Sequence, residues 1–172
     1  MKIVLVRHGQ TEENFEGNIC GHKNEMMNDT GRRQCQRLKE KLKDIKFDFC
    51  YMSPLIRGVE TAIILVGDRV ETAPDKRLID RDMKDLVGKS RDSINEEDFW
   101  LVDNTEVESV EEIFDRCRSF LDYVSDKHKD GSIIVVTHGP IYRVLRHIIL
   151  KHDMNNLYDG IIPNCHFEEF EI

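Results

Sequence analysis

Residues 3–9 read Ile3-Val4-Leu5-Val6-Arg7-His8-Gly9, and residues 133–139 repeat the pattern as Ile133-Ile134-Val135-Val136-Thr137-His138-Gly139. Each is a short β-branched run with polar residues on either side and a glycine turn behind it, the pattern of a strand buried on both faces of a sheet. Each then places a basic or hydroxyl residue, a histidine and a glycine at the end of the run. Two strand ends therefore deliver a histidine to one edge of the sheet. In open α/β sheets, ligands collect beyond the carboxyl ends of the strands.

Between the two runs the apolar spacing is helical. Asn28 is an N-cap for a helix through Gln34, Leu38 and Leu42, and Phe47–Met52 reads as the next strand. Ser53-Pro54 opens a second helix, with Pro54 in its first turn, that runs through Ala62, Ile63 and Leu65. Ser109-Val110-Glu111-Glu112 is a capping box heading a helix with Val110, Ile113, Phe114, Cys117 and Leu121 on one face. A further helix follows His138-Gly139-Pro140 through Val144, Leu145 and Ile148. The alternating Phe167, Phe170 and Ile172 mark Cys165–Ile172 as an edge strand. Strand–helix alternation of this kind gives an α/β sandwich.

The chain has 172 residues, with 25 basic and 33 acidic side chains and a net charge of −8. Apolar residues make up 40% and charged residues 34%, the balance of a globular chain with one sizeable core. Neutralising a nucleic acid backbone needs a basic face, and the acidic balance argues against one, so no nucleic-acid partner is expected. The five cysteines form no C-x-x-C pair, which argues against a disulfide framework or structural zinc and for a reduced, cytoplasmic setting. The opening apolar run is too short for a signal peptide, and no run reaches membrane-spanning length. From Asp92 to Asp115 there are ten acidic and no basic side chains. This stretch reads as a solvated loop and helix start, with a lid or variable segment over 83–108 as the alternative. It would repel polyanions if it overhung a pocket. Trp100, within it, reads as packing under a loop.

Arg7 and Arg57 sit beside strand ends, where an unpaired guanidinium is poor core filler and a good fork for phosphate oxygens. The alternative for Arg57 is an ion pair with Glu60 on its own helix. A neutral imidazole nearby can attack phosphorus. The helix N-terminus after Gly139 adds backbone amides for the same anion. His147 and His152, five apart, lie off one helical face and do not read as a metal pair.

The stretch Leu5-Val6-Arg7-His8-Gly9-Gln10-Thr11-Glu12-Glu13-Asn14 resembles the signature of the histidine phosphatase superfamily, the phosphoglycerate-mutase-like enzymes. The resemblance continues in family order through Gly21, Asn28–Gln34, Ser53–Ala62, Arg77-Leu78, Glu108-Ser109, Val136–Gly139 and Pro163-Asn164-Cys165, covering nearly the whole chain. It implies one domain over 1–172, a three-layer α/β/α sandwich with a mostly parallel central sheet. His8 would be the nucleophile and carry a phosphohistidine. Arg7, Asn14, Arg57 and His138 would surround the phosphoryl oxygens, with the Gly139 amide nearby. Cys20 and Gly21 would face the rest of the substrate. No metal or organic cofactor is implied.

Two positions depart from the family pattern. Asp80 stands where the family places a glutamate as proton donor, and Asp82 and Asp85 are alternates in the same segment. Aspartate is one methylene shorter, so the backbone must move in, a water must bridge, or the rate falls. Met83-Lys84 replaces a phenylalanine–glycine pair. The expected activity is that of a histidine acid-type phosphatase acting on a small phosphorylated metabolite, since a compact chain leaves a phosphohistidine open to water. A phosphoglycerate mutase and a non-catalytic phosphate-recognition module are the alternatives.

Overall fold

The computed structural model describes residues 1–94, 100, 106–152 and 161–172. Strand β1 (Lys2–Arg7) is followed by the short helix α1 (Glu12–Glu16) and by α2 (Asp29–Lys41), then by β2 (Phe49–Met52) and α3 (Ile56–Val66). Strand β3 (Glu71–Pro74), α4 (Val110–Lys127), β4 (Ser132–Thr137), α5 (Gly139–Leu150) and β5 (Phe167–Glu171) complete the order. The five strands lie in the order β3-β2-β4-β1-β5. All neighbours are parallel except β5, which pairs antiparallel with β1 at the edge.

Strand alternation divides each central strand between two cores. Ile3, Leu5, Phe49, Tyr51, Ile133 and Val135 face the apolar stripes of α4 and α5, including Ile113, Phe120, Val124, Tyr142 and Leu145. On the opposite face, Val4, Val6, Cys50, Met52, Ile134 and Val136 meet Leu38 of α2 and Ala62, Leu65 and Val66 of α3. The result is the expected three-layer α/β/α sandwich.

Asn28 caps α2 by accepting from the Gly31 N–H, and Ser109 and Glu112 form the reciprocal capping box of α4. One boundary differs from the sequence expectation. Helix α3 begins at Ile56 with Leu55 as its N-cap, not at Ser53-Pro54; the Ser53 hydroxyl serves both the Leu55 N–H just before the helix, at 3.3 Å, and His138 after the end of β4. Two elements carry no apolar signal and escaped the sequence reading: the five-residue α1 and the largely exposed edge strand β3. No described helix is long and apolar enough to cross a membrane. Of the lid candidate 83–108, residues 95–99 and 101–105 lie outside the described residues.

The register fixes where the chemistry falls. Arg7 pairs with Thr137 across β1 and β4, so the next residues, His8 and His138, leave the sheet side by side at the same level. Met52 of β2 pairs with Val136 and with Pro74 of β3, which brings Ser53 and the chain leading to Asp80 to that same edge.

Candidate active site

The rings of His8 and His138 are 4.9 Å apart between centroids. His8 lies at the wall of a cavity whose described lining includes Arg7, Asn14, Cys20, Gly21, Asp80 and Gly139, so seven of the nine sequence-derived residues share it. Arg57 and His138 do not line it. Both are completely buried behind it.

The His8 Nδ1 lies 2.7 Å from the Gly9 carbonyl oxygen. A carbonyl only accepts, so Nδ1 carries the hydrogen and Nε2 holds the lone pair. Burial, with the charges of Arg57 and Arg7, holds the His8 pKa well below the ordinary imidazole value. The ring is therefore neutral at neutral pH, the form a nucleophile requires. Gly9 is itself fixed by donating its N–H to Thr61 Oγ1 at 3.1 Å.

His138 takes the opposite tautomer. Arg57 Nε donates to His138 Nδ1 at 3.2 Å, so Nε2 bears the hydrogen and donates to Ser53 Oγ at 2.7 Å. Burial and the neighbouring Arg57 charge also lower the His138 pKa well below its ordinary value. Ser53 is a site residue that the sequence reading passed over as a helix opener.

Arg57 spends its fork on the protein: Nη1 donates to Lys23 O at 2.6 Å, and Nη2 to Gly21 O at 2.8 Å and Asp80 Oδ2 at 3.0 Å. Glu60, its proposed alternative partner, pairs instead with Arg32 at 3.1 Å. Gly21 meets this demand with φ +47°, and a Cβ there would come within 2.9 Å of Val87 Cγ2.

Asp80 is the member of the acidic trio that lines the cavity. Its Oδ1 accepts from the Arg81 N–H at 2.8 Å, and its carbonyl accepts from Arg116 Nη2 at 3.3 Å. Arg116, on α4, also donates to Ile79 O and is itself held by Glu108, which clamps the Asp80 segment inward. Asp82 turns away to Lys84 Nζ at 2.7 Å, and Asp85 is exposed. Where a glycine is usual, Lys84 takes the left-handed conformation with φ +45°, while Met83 fills the core.

Arg7 donates Nη1 to the Ile162 carbonyl, and its Nε is buried without a partner. Burial pushes its pKa down to about 10, still protonated at neutral pH. The Arg7 guanidinium packs against Gly139 at the N-terminus of α5, so a charged donor and helix amides converge on one place. Asn14 donates to Cys20 Sγ at 3.1 Å and accepts from Asn164 Nδ2 at 3.0 Å. Asn164 also donates to the His8 carbonyl at 3.1 Å, which ties the loop after β1 to the turn before β5. Asn164 belongs to the Pro163-Asn164-Cys165 landmark, and nothing local in the sequence marks these two hydrogen bonds.

The described lining holds four arginines, Arg7, Arg81, Arg91 and Arg143, and a single carboxylate. That sign is opposite to the acidic segment's. Trp100 is buried and lines the cavity, with the Arg81 and Arg143 guanidinium carbons each 5.8 Å from its ring centroid. His147 and His152 do come together, with ring centroids 5.7 Å apart. Helix α5 ends at Leu150, and the left-handed Lys151 folds His152 back, so helical spacing no longer applies. Among the described residues, no group of three or more His, Cys, Asp or Glu side chains is placed to hold a metal.

The family model for the histidine phosphatase superfamily (branch 1) matches residues 3–172. Phosphoglycerate mutase-like protein 4 of Arabidopsis thaliana is 39% identical over 158 residues, spanning 84% of this chain and 69% of that protein. Phosphoserine phosphatase 1 of Hydrogenobacter thermophilus is 27% identical over 178 residues, covering 97% and 84% of the two chains. Among solved structures, Bacillus stearothermophilus YhfR superposes with a TM-score of 0.90 at 24% identity, over 99% of this chain and 91% of that one, a likeness of fold. The sequence match along almost its whole length, on the fold and strand-end histidines described above, shows that the chain belongs to the histidine phosphatase superfamily.

Proposed function

We propose that the protein hydrolyses phosphomonoesters of small metabolites through a phosphohistidine on His8. The tautomer of His8 carries this reading. With Nδ1–H engaged by Gly9, a neutral Nε2 is left as nucleophile in a cavity lined by arginine. Phosphatases among the similar proteins support the same chemistry.

In the proposed reaction the phosphoryl oxygens take the buried Arg7 Nε–H and the amides at the start of α5. His8 Nε2 attacks phosphorus as the bond to the ester oxygen breaks, and Asp80 relays to that oxygen the proton that the monoanionic phosphate brings in. Water then attacks the phosphohistidine, its proton passes through Asp80 to the phosphate, and inorganic phosphate leaves with the nitrogen–phosphorus bond broken. Little covalent work falls to the protein, and positioning with charge stabilisation supplies the acceleration. Arg57 contributes from behind, holding Asp80 and His138 in register.

Rapid mixing with a labelled aryl phosphate, quenched in alkali to preserve phosphohistidine, tests this. The label is expected on the His8 peptide, and His8→Ala should release no phosphate. An unlabelled His8, or exchange between 3- and 2-phosphoglycerate outrunning phosphate release, would overturn the reading.

A further inference from the structure

We propose that Cys35 and Cys165 are a disulfide-forming pair, oxidised by exchange with a low-molecular-weight disulfide, whose closure switches the catalytic loop off. Their sulfurs are 3.4 Å apart, in direct contact, although 130 residues separate them in the chain. Closing them to a bond of about 2.05 Å requires an approach of about 1.4 Å. Cys35 lies on α2 and is completely buried, whereas Cys165, in the turn before β5, is half-buried. The pair therefore has an entry sulfur and a resolving sulfur.

The other three cysteines differ. Cys20, Cys50 and Cys117 are buried, and burial pushes each thiol up to about 12. Within the pair, Cys165 donates its thiol hydrogen to Cys35, which raises the Cys165 pKa above the ordinary thiol value and lowers that of Cys35, so Cys35 is the thiolate-prone sulfur and the base for its neighbour. Thiolate character is what drives thiol–disulfide exchange.

The catalytic loop is held by both cysteines. A Cβ on Gly9 would lie 2.9 Å from Cys35 Sγ, so α2 packs directly under the residue that follows His8. From the other side, the Cys165 N–H donates to the carbonyls of Arg7 at 3.1 Å and His8 at 3.2 Å. The adjacent Asn164 side chain holds the His8 carbonyl, and Ile162, in the same turn, accepts from Arg7. Drawing Cys165 toward α2 moves every one of these holds. It also displaces Gly9, whose carbonyl sets the His8 ring.

The chemistry balances with one co-reactant. The half-buried Cys165 sulfur attacks a sulfur of the small disulfide as its proton passes to the Cys35 thiolate beside it, forming a mixed disulfide and expelling one small thiolate, which carries that proton away. The Cys35 thiolate then attacks Cys165 Sγ and expels the second. Two protein thiols lose two electrons, the small disulfide gains them, and the two protons go to the expelled thiolates.

The test incubates the reduced full chain with oxidised glutathione, then measures intact mass, non-reducing peptide maps and phosphate release from an aryl phosphate. The expected product is about 2 Da lighter, with Cys35 and Cys165 in one linked peptide. Its turnover should be lower by about ten- to a hundred-fold, the scale of a one-ångström misplacement, and dithiothreitol should restore it. Cys35→Ser should stall as a glutathione adduct on Cys165. If that variant does not fold, the peptide map of the unaltered chain decides alone. Persistence of five free thiols, a link between other cysteines, or full turnover by the linked form would overturn the proposal. Absence of phosphate release from the reduced protein would instead defeat the phosphatase reading, while the linked peptide still decides the bond.

Discussion

Arg57 and Asp80 form an ion pair, Nη2 to Oδ2 at 3.0 Å, in which the arginine side chain is wholly buried. The same guanidinium reaches His138 and the carbonyls of Gly21 and Lys23. One side chain thus joins the helix after β2, the loop at Gly21, the acid segment after β3 and the end of β4. A buried guanidinium is tolerated only when its charge is matched and its donors are used, and here both conditions hold.

Replacing Asp80 by Asn separates the two duties of this carboxylate. Arg57 would keep an acceptor and lose its countercharge, so stability should fall by about 3 kcal/mol in denaturant titrations, the low end for a broken buried pair. Turnover of alkyl phosphates should fall by about 10²–10⁴-fold, with a much smaller loss for aryl phosphates, whose leaving groups need no proton. Equal losses on both ester classes would move the proton donor to Asp82 or Asp85.

Ser53→Ala removes the acceptor for the His138 Nε2–H at a site where both residues are completely buried. An unsatisfied buried donor costs about 1–3 kcal/mol, which thermal or chemical unfolding would register. The oxidised and reduced states of the cysteine pair should be equally affected, since Ser53 makes none of their contacts. An unchanged melting temperature would show that the His138–Ser53 hydrogen bond contributes nothing to stability.

How legible each part was depended on whether its signal is local. Strands β1 and β4 announce themselves through unbroken β-branched runs, and the histidines that follow them inherit that certainty of position. Strand β3 contains Glu71, Thr72, Ala73 and Pro74 at an exposed edge, where burial imposes no apolar pattern. The partners of Arg57 lie 23 to 81 residues away, and two are backbone carbonyls, which no sequence can mark. Hence Glu60, one turn along, looked like its alternative partner. Ser53 and Asn164 act through side-chain hydrogen bonds to His138 and to the His8 carbonyl that strand register sets up, so only the assembled sheet edge reveals them. His152 escapes its helical spacing for a related reason: it lies one residue past Lys151, whose left-handed backbone ends the helix.

Stability should fall with acid earlier than the carboxylates alone dictate. His8 and His138 have folded-state pKa values well below the ordinary 6.5, chiefly through burial. Above pH 6.5 both are neutral folded or unfolded, and their contribution is fully present. As pH drops below 6.5 the unfolded chain binds protons that the folded chain refuses, so unfolding becomes easier toward the folded pKa values. Each histidine adds a slope of up to about 1.4 kcal/mol per pH unit. Denaturant midpoints measured between pH 7 and 5 should show this, and His8→Gln should remove about one histidine's share of the slope. The acid limb of turnover on aryl phosphates should likewise lie below pH 6.5. A slope unchanged in His8→Gln would mean that His8 titrates normally when folded.

Lys84→Gly should make the protein more stable, although it deletes a charge contact. Lys84 holds φ +45°, a conformation that costs a non-glycine residue about 1–2 kcal/mol and glycine almost nothing. Its ammonium pairs with Asp82 at 2.7 Å, but the side chain is half exposed, and such pairs are worth about 0–1 kcal/mol. Glycine also loosens the unfolded chain, which takes back part of the gain. The balance is a stabilisation of about 0.5–1 kcal/mol, or a rise in melting temperature of about 1–4 °C. Lys84→Ala is the control: it removes the same ammonium and keeps the strained backbone. If alanine stabilised as much as glycine, the effect would belong to charge. If only glycine does, the strain belongs to the backbone that carries Asp80 into the site, four residues upstream.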